Sequence, residues 1–267
     1  MSRALINGVG IEYQLSGTGP ETVVLLNGIA MSISHWKPMT DRFVAAGYRV
    51  LAHDLRGQLL SDKPATPYSF EEHARDLHAL LSELGIRQAH MVGTSYGAEV
   101  ALTFARDFPE ATSSVVSIDG ASEYDAVLGT AVESWKAAAL SDSRVFYKTI
   151  LPWNYSAGYL AANRDALGKR EDAIASLPRE WFEAFARLCD AFLSIDLTKD
   201  LGKIHCPCMV VVAGSDILKG PSYARIIQRG VPGALYVEMP GSGHAVVVEK
   251  PVELTDEVLR FLAVPGR

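Results

Sequence analysis

The chain contains 267 residues, of which 48% are hydrophobic and 21% are charged. This balance is typical of a globular protein with one large core, and it excludes an intrinsically disordered chain, a collagen-like repeat and a simple coiled coil. The formal net charge of −6, from 25 Lys and Arg against 31 Asp and Glu, lacks the basic excess of a nucleic-acid-binding protein, so we expect a small-molecule partner and no nucleic acid.

The cysteines and the N-terminal residues indicate in which cellular compartment we expect the protein. Three cysteines do not form a disulfide framework in a chain of this length, and the odd number leaves at least one thiol over. The first residues lack the apolar core of a secretory signal, and no segment has the ~20 apolar residues that a membrane span requires. We expect a cytoplasmic protein that does not associate with membranes, and its oligomeric state stays open.

Short β-branched segments bounded by turn residues recur along the chain. The first two, residues 4–6 and 10–15, flank Asn7-Gly8, a dipeptide that favours a tight antiparallel hairpin. Several later segments are followed by helical patterns, which predicts strand–helix units and a largely parallel sheet with flanking helices. These later predicted strands are residues 22–26, 49–53, 89–92, 114–118, 208–213 and 234–238. The predicted fold class is therefore α/β.

The alternation of strands and helices stops between residues 121 and 197. This interval holds 11 of the 23 aromatic residues, and residues 179–193 repeat apolar side chains at helical spacing. We predict an inserted helical cap at residues 121–197 on a core formed by residues 1–120 and 198–267. The rings either form the core of the cap or line a substrate pocket. The predicted pocket side chains are Asn27, Trp135, Trp153 and Trp181.

The sharpest local motif is Gly93-Thr94-Ser95-Tyr96-Gly97. A predicted strand precedes it and a helical segment, residues 98–106, follows it, so the serine lies at an abrupt turn from strand to helix. Glycine at both flanks relieves crowding in such a turn. We predict that Ser95 is a nucleophile, and the alternative is a structural serine in a tight turn.

A serine hydroxyl needs a nearby base to act as a nucleophile at neutral pH. Of the seven histidines, His244 lies in the glycine-rich segment Pro240-Gly241-Ser242-Gly243-His244 after a predicted strand, whereas packing or solvation explains the others. A carboxylate must orient the base, and Asp216 in Ala213-Gly214-Ser215-Asp216 is the preferred candidate. Asp119 also follows a predicted strand and is the reserve candidate.

In order and spacing, these segments resemble the α/β-hydrolase superfamily over nearly the whole chain. The matching pieces are Leu25-Leu26-Asn27-Gly28-Ile29 with Trp36, Asp54-Leu55-Arg56-Gly57 with Ser61, the motif around Ser95, Cys206-Pro207 to Gly214-Ser215-Asp216, and Gly241-Ser242-Gly243-His244. The resemblance implies an α/β-hydrolase fold with a triad in the chain order Ser95, Asp216, His244. It also implies that the backbone N–H groups of Ile29 and Tyr96 hold the oxyanion of the reaction.

The chain departs from the family pattern at two places. Asn27-Gly28 stands where most relatives have His-Gly, and Arg56-Gly57-Gln58-Leu59-Leu60-Ser61 stands where many have Arg-Gly-x-Gly-x-Ser. Asn-Gly at the first place resembles the sequence at this position in relatives that transfer hydroxyacyl chains between carriers. Ser95 disfavours the branches with an aspartate nucleophile, the haloalkane dehalogenases and epoxide hydrolases.

Neither a cofactor nor a metal is expected. Cys206-Pro207-Cys208 beside His205 lacks a second ligand pair, and the glycines do not form a dinucleotide-binding turn. The leading function hypothesis is a serine hydrolase that cleaves a carboxylic ester, lactone or enol lactone. The alternatives that stay open are an acyltransferase that passes the acyl group to an alcohol, thiol or carrier, and a ligand receptor on a hydrolase fold. Other reactions that use the same triad, including peroxidation and C–C cleavage, also stay open.

Overall fold

The computed structural model describes residues 1–264, and a sheet of eight strands forms its centre. In chain order the strands are β1 (Ser2–Ile6), β2 (Val9–Ser16), β3 (Thr22–Leu26), β4 (Arg49–His53), β5 (Ala89–Thr94), β6 (Thr112–Ile118), β7 (Cys208–Ala213) and β8 (Leu235–Met239). Side by side they follow the order β1-β2-β4-β3-β5-β6-β7-β8. The pairs β1–β2 and β2–β4 are antiparallel, and the others are parallel. The predicted α/β class and mostly parallel sheet are confirmed.

Eleven α-helices accompany the sheet within residues 1–264. They are α1 (Lys37–Ala45), α2 (Phe70–Glu83), α3 (Tyr96–Asp107), α4 (Ala126–Ser141), α5 (Ser143–Asn154), α6 (Ala157–Ala162), α7 (Arg164–Ala175), α8 (Arg179–Phe192), α9 (Pro221–Gly230), α10 (Val246–Glu249) and α11 (Pro251–Leu262). Across the described residues, none of these helices combines the length and the apolar character needed to cross a membrane.

The antiparallel start of the sheet follows from the Asn-Gly turn. Asn7 and Gly8 adopt φ values of 49° and 80°, the left-handed backbone that a tight hairpin turn requires. The turn pairs Ile6 with Val9 and continues the register to Ser2 opposite Tyr13. The predicted hairpin is therefore present.

The strand side chains alternate between two hydrophobic clusters, one on each face of the sheet. In β3, Val24 and Leu26 belong to the cluster that includes residues of α2, α3 and α9. Val23 and Leu25 belong to the second cluster, which includes residues of α1 and α11. Because both faces are covered, these strands read as continuous apolar segments in the sequence.

Between β6 and β7, the chain forms α4 to α8 without adding a strand. We call residues 121–197 the inserted segment. Aromatic rings pack at its centre, where the ring of Phe146 lies 5.9 Å from Trp181, 5.8 Å from Phe182 and 4.7 Å from Phe185 between centroids. The same hydrophobic cluster continues from these rings into the residues of α2 and α3. The inserted segment thus shares a core with one face of the sheet.

Candidate active site

Ser95 lies at the turn between β5 and α3. Its φ of 51° and ψ of −121° fall outside the backbone regions that L-residues favour. A Cβ on Gly93 would lie 2.1 Å from the carbonyl oxygen of Gly97, and a Cβ on Gly97 would lie 2.1 Å from that of Leu26. Only glycine fits at both positions, so the motif exists because the backbone of this turn is crowded.

Ser95, His244 and Asp216 form a chain of hydrogen bonds. His244 Nε2 lies 2.9 Å from Ser95 Oγ, and its Nδ1 lies 2.7 Å from Asp216 Oδ2. A carboxylate can only accept a hydrogen bond, so the imidazole proton is on Nδ1 and Nε2 is free to accept the serine proton. Both His244 and Asp216 are buried. The three side chains have the arrangement in which a histidine can activate a hydroxyl.

The loops that carry Asp216 and His244 also contact each other. The Ser215 amide donates to the Ser242 carbonyl at 2.9 Å, and the Ser242 hydroxyl donates to the Met239 carbonyl at 2.7 Å. The second carboxylate oxygen of Asp216 accepts from the Leu218 amide at 2.7 Å. These bonds hold both loops at the ends of the adjacent parallel strands β7 and β8.

Electrostatics keep Asp216 charged. Burial by itself would raise the pKa of this carboxyl, but the neighbouring His244 and its hydrogen bond, together with the amides of Leu218 and Lys219, hold the pKa below its usual range. The carboxylate is therefore ionised at neutral pH. An ionised partner fixes the imidazole and stabilises its protonated form.

Asp119, the reserve candidate, lies beside Asp216 in a different state. Its Oδ1 accepts from the Ala213 amide at 2.7 Å, and its φ of 48° turns the chain at the end of β6. Burial, and then the negative charge of Asp216, raise the pKa of Asp119 well above its usual range. Asp119 is therefore harder to ionise than Asp216, and Asp216 supplies the charge next to His244.

These acidic groups are also the place within residues 1–264 where a cation could bind. Ligand atoms of Asp119, Asp216 and His244 lie within 4.8 Å of one another. However, Asp216 Oδ2 and His244 Nδ1 are already bonded to each other. A cation there would have to displace the hydrogen bond that orients the imidazole.

Ile29 and Tyr96, the predicted oxyanion residues, flank Ser95. Tyr96 is the first residue of α3, so its amide has no acceptor inside the helix. Ile29 follows β3, the neighbour of β5, and lines the same cavity as Ser95. The Tyr96 side chain is buried, and its hydroxyl shares a hydrogen bond of 2.9 Å with Nε2 of His73. Only the backbone of Tyr96 is therefore available next to Ser95.

The two departures from the family pattern are in contact. Asn27 Nδ2 lies 3.0 Å from both Asp54 Oδ1 and Gln58 Oε1, and Trp36 Nε1 donates to Asn27 Oδ1 at 2.7 Å. Gln58 Nε2 donates to the Gly28 carbonyl at 2.9 Å. The network supports the loop that carries Ile29. Asn27 is fully buried in this network, and it is not among the residues that line the cavity.

A cavity of about 80 Å³ opens onto Ser95 and His244. Its walls are mostly apolar, and they include Trp135 but neither Trp153 nor Trp181. Trp181 packs instead against the rings inside the inserted segment, and Trp153 is half-buried against the main hydrophobic cluster. Helical spacing identifies an apolar face without saying what that face contacts, so it could not place these two residues relative to the cavity.

Sequence reasoning missed a buried ion pair behind the triad. Lys219 Nζ lies 2.9 Å from Glu99 Oε1, and both side chains are buried. Glu99 also accepts from the Ala121 amide at 2.7 Å, where the inserted segment begins. Burial raises the pKa of Glu99, and the charge of Lys219 opposes this rise. The signal in the sequence was a lone acid within the apolar face of the helix after Ser95.

The cavity also contains two polar residues that the sequence analysis did not single out. Arg170 of α7 and His35, from the turn before α1, both line it. Arg170 donates to the hydroxyl of Tyr155 at 2.8 Å and to Nε2 of His35. Neither residue lies in a motif, so only the fold brings them to Ser95.

Comparisons with known proteins agree with this geometry. The sequence pattern described as the "Alpha/beta hydrolase family" matches residues 23–257. RutD of Caulobacter sp. (strain K31), whose name proposes a carbamate hydrolase, is 28% identical over 95% of this chain and 96% of its own. MGS-M2, an α/β-hydrolase enzyme from a Medee basin deep-sea metagenome library, superimposes with a TM-score of 0.94 at 28% identity, over 100% of this chain and 98% of its own.

A further solved structure is Est816, described as an N-acyl homoserine lactone degrading enzyme. It has a TM-score of 0.83 at 26% identity and covers 97% of this chain and 99% of its own. The fold, the length of the family match and these relatives confirm the resemblance that the motifs predicted. The chain belongs to the α/β-hydrolase family.

Proposed function

We propose that the protein is a serine hydrolase that cleaves a carboxylic ester, lactone or enol lactone through an acyl-enzyme on Ser95. The observation that supports this proposal is the hydrogen-bonded chain from Ser95 through His244 to Asp216, at 2.9 and 2.7 Å. The chain lies at a cavity of about 80 Å³ with mostly apolar walls. Residues 121–197 act as a cap over that cavity.

In the first half of the reaction, Ser95 Oγ attacks the substrate carbonyl carbon while His244 Nε2 takes the hydroxyl proton. The amides of Ile29 and Tyr96 donate to the oxyanion, and such donors contribute roughly 3 to 4 kcal/mol each to the transition state. His244 then gives its proton to the leaving alkoxide as the tetrahedral intermediate collapses. Asp216 stays ionised and stabilises the imidazolium.

In the second half, water attacks the acyl-enzyme. His244 takes a proton from the water and returns it to Ser95 Oγ as the ester bond to the enzyme breaks. The products are the carboxylic acid and the regenerated serine. A lactone follows the same steps, with its ring oxygen as the leaving group that stays attached to the acyl chain.

The relatives support chemistry at an acyl carbon. RutD is named for a carbamate and Est816 for a lactone, and both substrates present a carbonyl carbon to a nucleophile. The acyltransferase and receptor hypotheses share this site. Asn27, which motivated the acyltransferase hypothesis, is engaged with Trp36, Asp54 and Gln58 beneath the oxyanion loop. We therefore favour water as the acceptor.

The test is a rate series on p-nitrophenyl esters from acetate to laurate. We expect turnover by the wild type that peaks at short chains, because the cavity is small. Ser95→Ala should lower kcat by about 10⁶-fold. Ser176→Ala, which changes an exposed serine, should have no effect. Equal activity of Ser95→Ala and the wild type in clean preparations would overturn the proposal, and a burst without turnover would favour the acyltransferase or receptor.

A further inference from the structure

We propose that the substrate of this site carries a carboxylate besides its ester or lactone group, and that Arg170 binds this carboxylate. The inference rests on the proposed function, since it names the class of ester that the same cavity accepts. It comes from one feature of the cavity, a cation among apolar walls with no acid to neutralise it.

Arg170 lies on α7 and lines the cavity together with Ser95 and His244. The described lining includes no aspartate or glutamate. Within residues 1–264, Arg170 forms no ion pair with a carboxylate, and its two hydrogen-bond partners are the Tyr155 hydroxyl and the His35 imidazole. No carboxylate of the described residues is therefore paired with this positive charge.

Both partners of Arg170 are neutral. Burial, followed by the charge of Arg170 itself, lowers the pKa of His35 to about 4, against a weaker opposing effect of the Ser32 carbonyl. A guanidinium can only donate hydrogen bonds, so Nε2 of His35 accepts from Arg170. Two of the five guanidinium N–H donors are thus used by neutral acceptors, which leaves donors for a ligand.

The buried arginine Arg56 shows how this chain satisfies a guanidinium taken out of water, whereas Arg170 is half-buried. Arg56 is buried and binds Asp76 through two hydrogen bonds, of 2.6 and 2.9 Å. A cation taken out of water needs a partner of this kind, and the planar guanidinium matches the two oxygens of a carboxylate. Arg170 presents the same guanidinium donors as Arg56 but binds no carboxylate of the described residues. We therefore assign the carboxylate partner of Arg170 to the substrate.

The structure also connects Arg170 to the triad over a short path. Tyr155, which accepts from Arg170, follows Asn154 in the chain, and the Asn154 carbonyl accepts from the Ala245 amide at 2.6 Å. Ala245 is the neighbour of His244. Arg170 and His244 therefore line one small cavity and are also linked to each other by this connection.

The experiment compares two esters of the same shape, mono-p-nitrophenyl adipate and its neutral carboxamide analogue, p-nitrophenyl adipamate. We expect the wild type to prefer the adipate by about 10- to 100-fold in kcat/KM, the range of a hydrogen-bonded charge pair. Arg170→Gln should lower the preference to about one-fold, because the neutral side chain no longer pairs with the carboxylate. Arg170→Lys, which keeps the charge without the planar fork, should retain part of the preference.

Two controls separate the possible failures. Arg164→Gln changes an exposed arginine on the same helix and should keep the wild-type preference. Ser95→Ala should bind mono-p-nitrophenyl adipate more tightly than p-nitrophenyl adipamate in calorimetry, and the added substitution Arg170→Gln should abolish this difference. Equal Ser95-dependent hydrolysis of both esters would overturn the carboxylate inference and leave the proposed function intact. Loss of hydrolysis with the binding preference retained would overturn only the proposed function.

Discussion

The end of the parallel sheet and the inserted segment are built by different forces. At the sheet, hydrogen bonds between side chains and backbone fix Ser95, His244 and Asp216 on the loops that follow β5, β7 and β8. In the inserted segment, residues 121–197, packing between rings such as Phe146 and Phe185 holds the helices together. Hydrogen bonds are directional and therefore fix the positions of individual atoms. Dispersion and hydrophobic contacts mainly require that a volume is filled, and they tolerate changes of side-chain shape.

Under the proposed function, the two regions determine different properties of the enzyme, its reaction and its substrate preference. The sheet edge determines which reaction occurs, because proton transfer needs groups placed to within tenths of an ångström. The inserted segment contributes Trp135, Arg170 and Phe185 to the cavity and thereby determines which substrate fits. Substitutions at the edge should therefore change the rate on every substrate, and substitutions in the inserted segment should change the order of preference among substrates.

The largest expected effect is at the sheet edge. Asp216→Asn should lower kcat by about 10⁴-fold on every ester, because an amide reverses the tautomer of His244 and removes the charge that stabilises the imidazolium. Steady-state kinetics on short and long p-nitrophenyl esters measure this loss. The free energy of unfolding should change much less than the activation barrier.

Asp119→Asn is the matched control for that substitution. Burial, and then the charge of Asp216, raise the pKa of Asp119 and disfavour its charged form, and an amide oxygen can still accept from the Ala213 amide. We expect less than about a tenfold loss in kcat. If Asp119→Asn caused the larger loss of the two, the reserve assignment would replace Asp216.

The next effect concerns the junction of the two regions. Lys219 pairs with Glu99 of α3, and its ammonium lies 4.4 Å from the centroid of the Phe192 ring in α8. Lys219→Met leaves the Glu99 carboxylate buried without its partner, which should lower the free energy of unfolding by about 3 to 5 kcal/mol. Urea unfolding curves of the wild type and the variant give this difference.

Lys203→Met is the control, since it changes an exposed lysine and should shift the unfolding free energy by less than about 0.5 kcal/mol. Glu99→Gln combined with Lys219→Met should recover part of the loss, because no buried charge then lacks a partner. A loss for Lys219→Met no greater than that for Lys203→Met would show that the buried pair does not hold the two regions together.

The smallest effect on stability is expected inside the inserted segment. Phe146→Leu should cost about 1 to 2 kcal/mol of unfolding free energy, because it removes part of a ring from the cluster behind Phe185. The wall that Phe185 contributes to the cavity can then relax, so the best acyl chain should become longer. The p-nitrophenyl ester series measures this shift.

Phe43→Leu, in the cluster on the opposite face of the sheet, is the matched substitution. It should cost a similar free energy of unfolding and leave the order of ester preference unchanged. If both variants shifted the preferred chain length equally, selectivity would depend on overall stability, and the division between the two regions would be wrong.

Local patterns were sufficient to predict much of the sheet edge. The predicted strands at residues 22–26, 49–53 and 208–213 have the bounds of β3, β4 and β7. β5 continues two residues beyond its predicted end, to Thr94, because the strand pairs with β6 up to the turn at Ser95. Short-range sterics create the glycine motif around Ser95, so the motif was visible in the sequence.

The inserted segment was predictable only in outline. The aromatic content indicated helices with rings at their centre, but Trp153 and Trp181 lie outside the cavity lining. Arg170 and His35 are 135 positions apart, and no local pattern relates them. Which face of each helix meets the cavity depends on how five helices pack on one another and on the sheet, and this is decided by contacts distant in sequence.

The most direct test of the account is to identify the nucleophile. Paraoxon transfers a diethyl phosphoryl group to activated serine hydroxyls, and mass spectrometry of the intact protein and its peptides locates the group. The account predicts one label per chain, on Ser95, absent in Ser95→Ala and strongly slowed in His244→Gln. Labelling at another residue, or equal labelling of Ser95→Ala and the wild type, would contradict it.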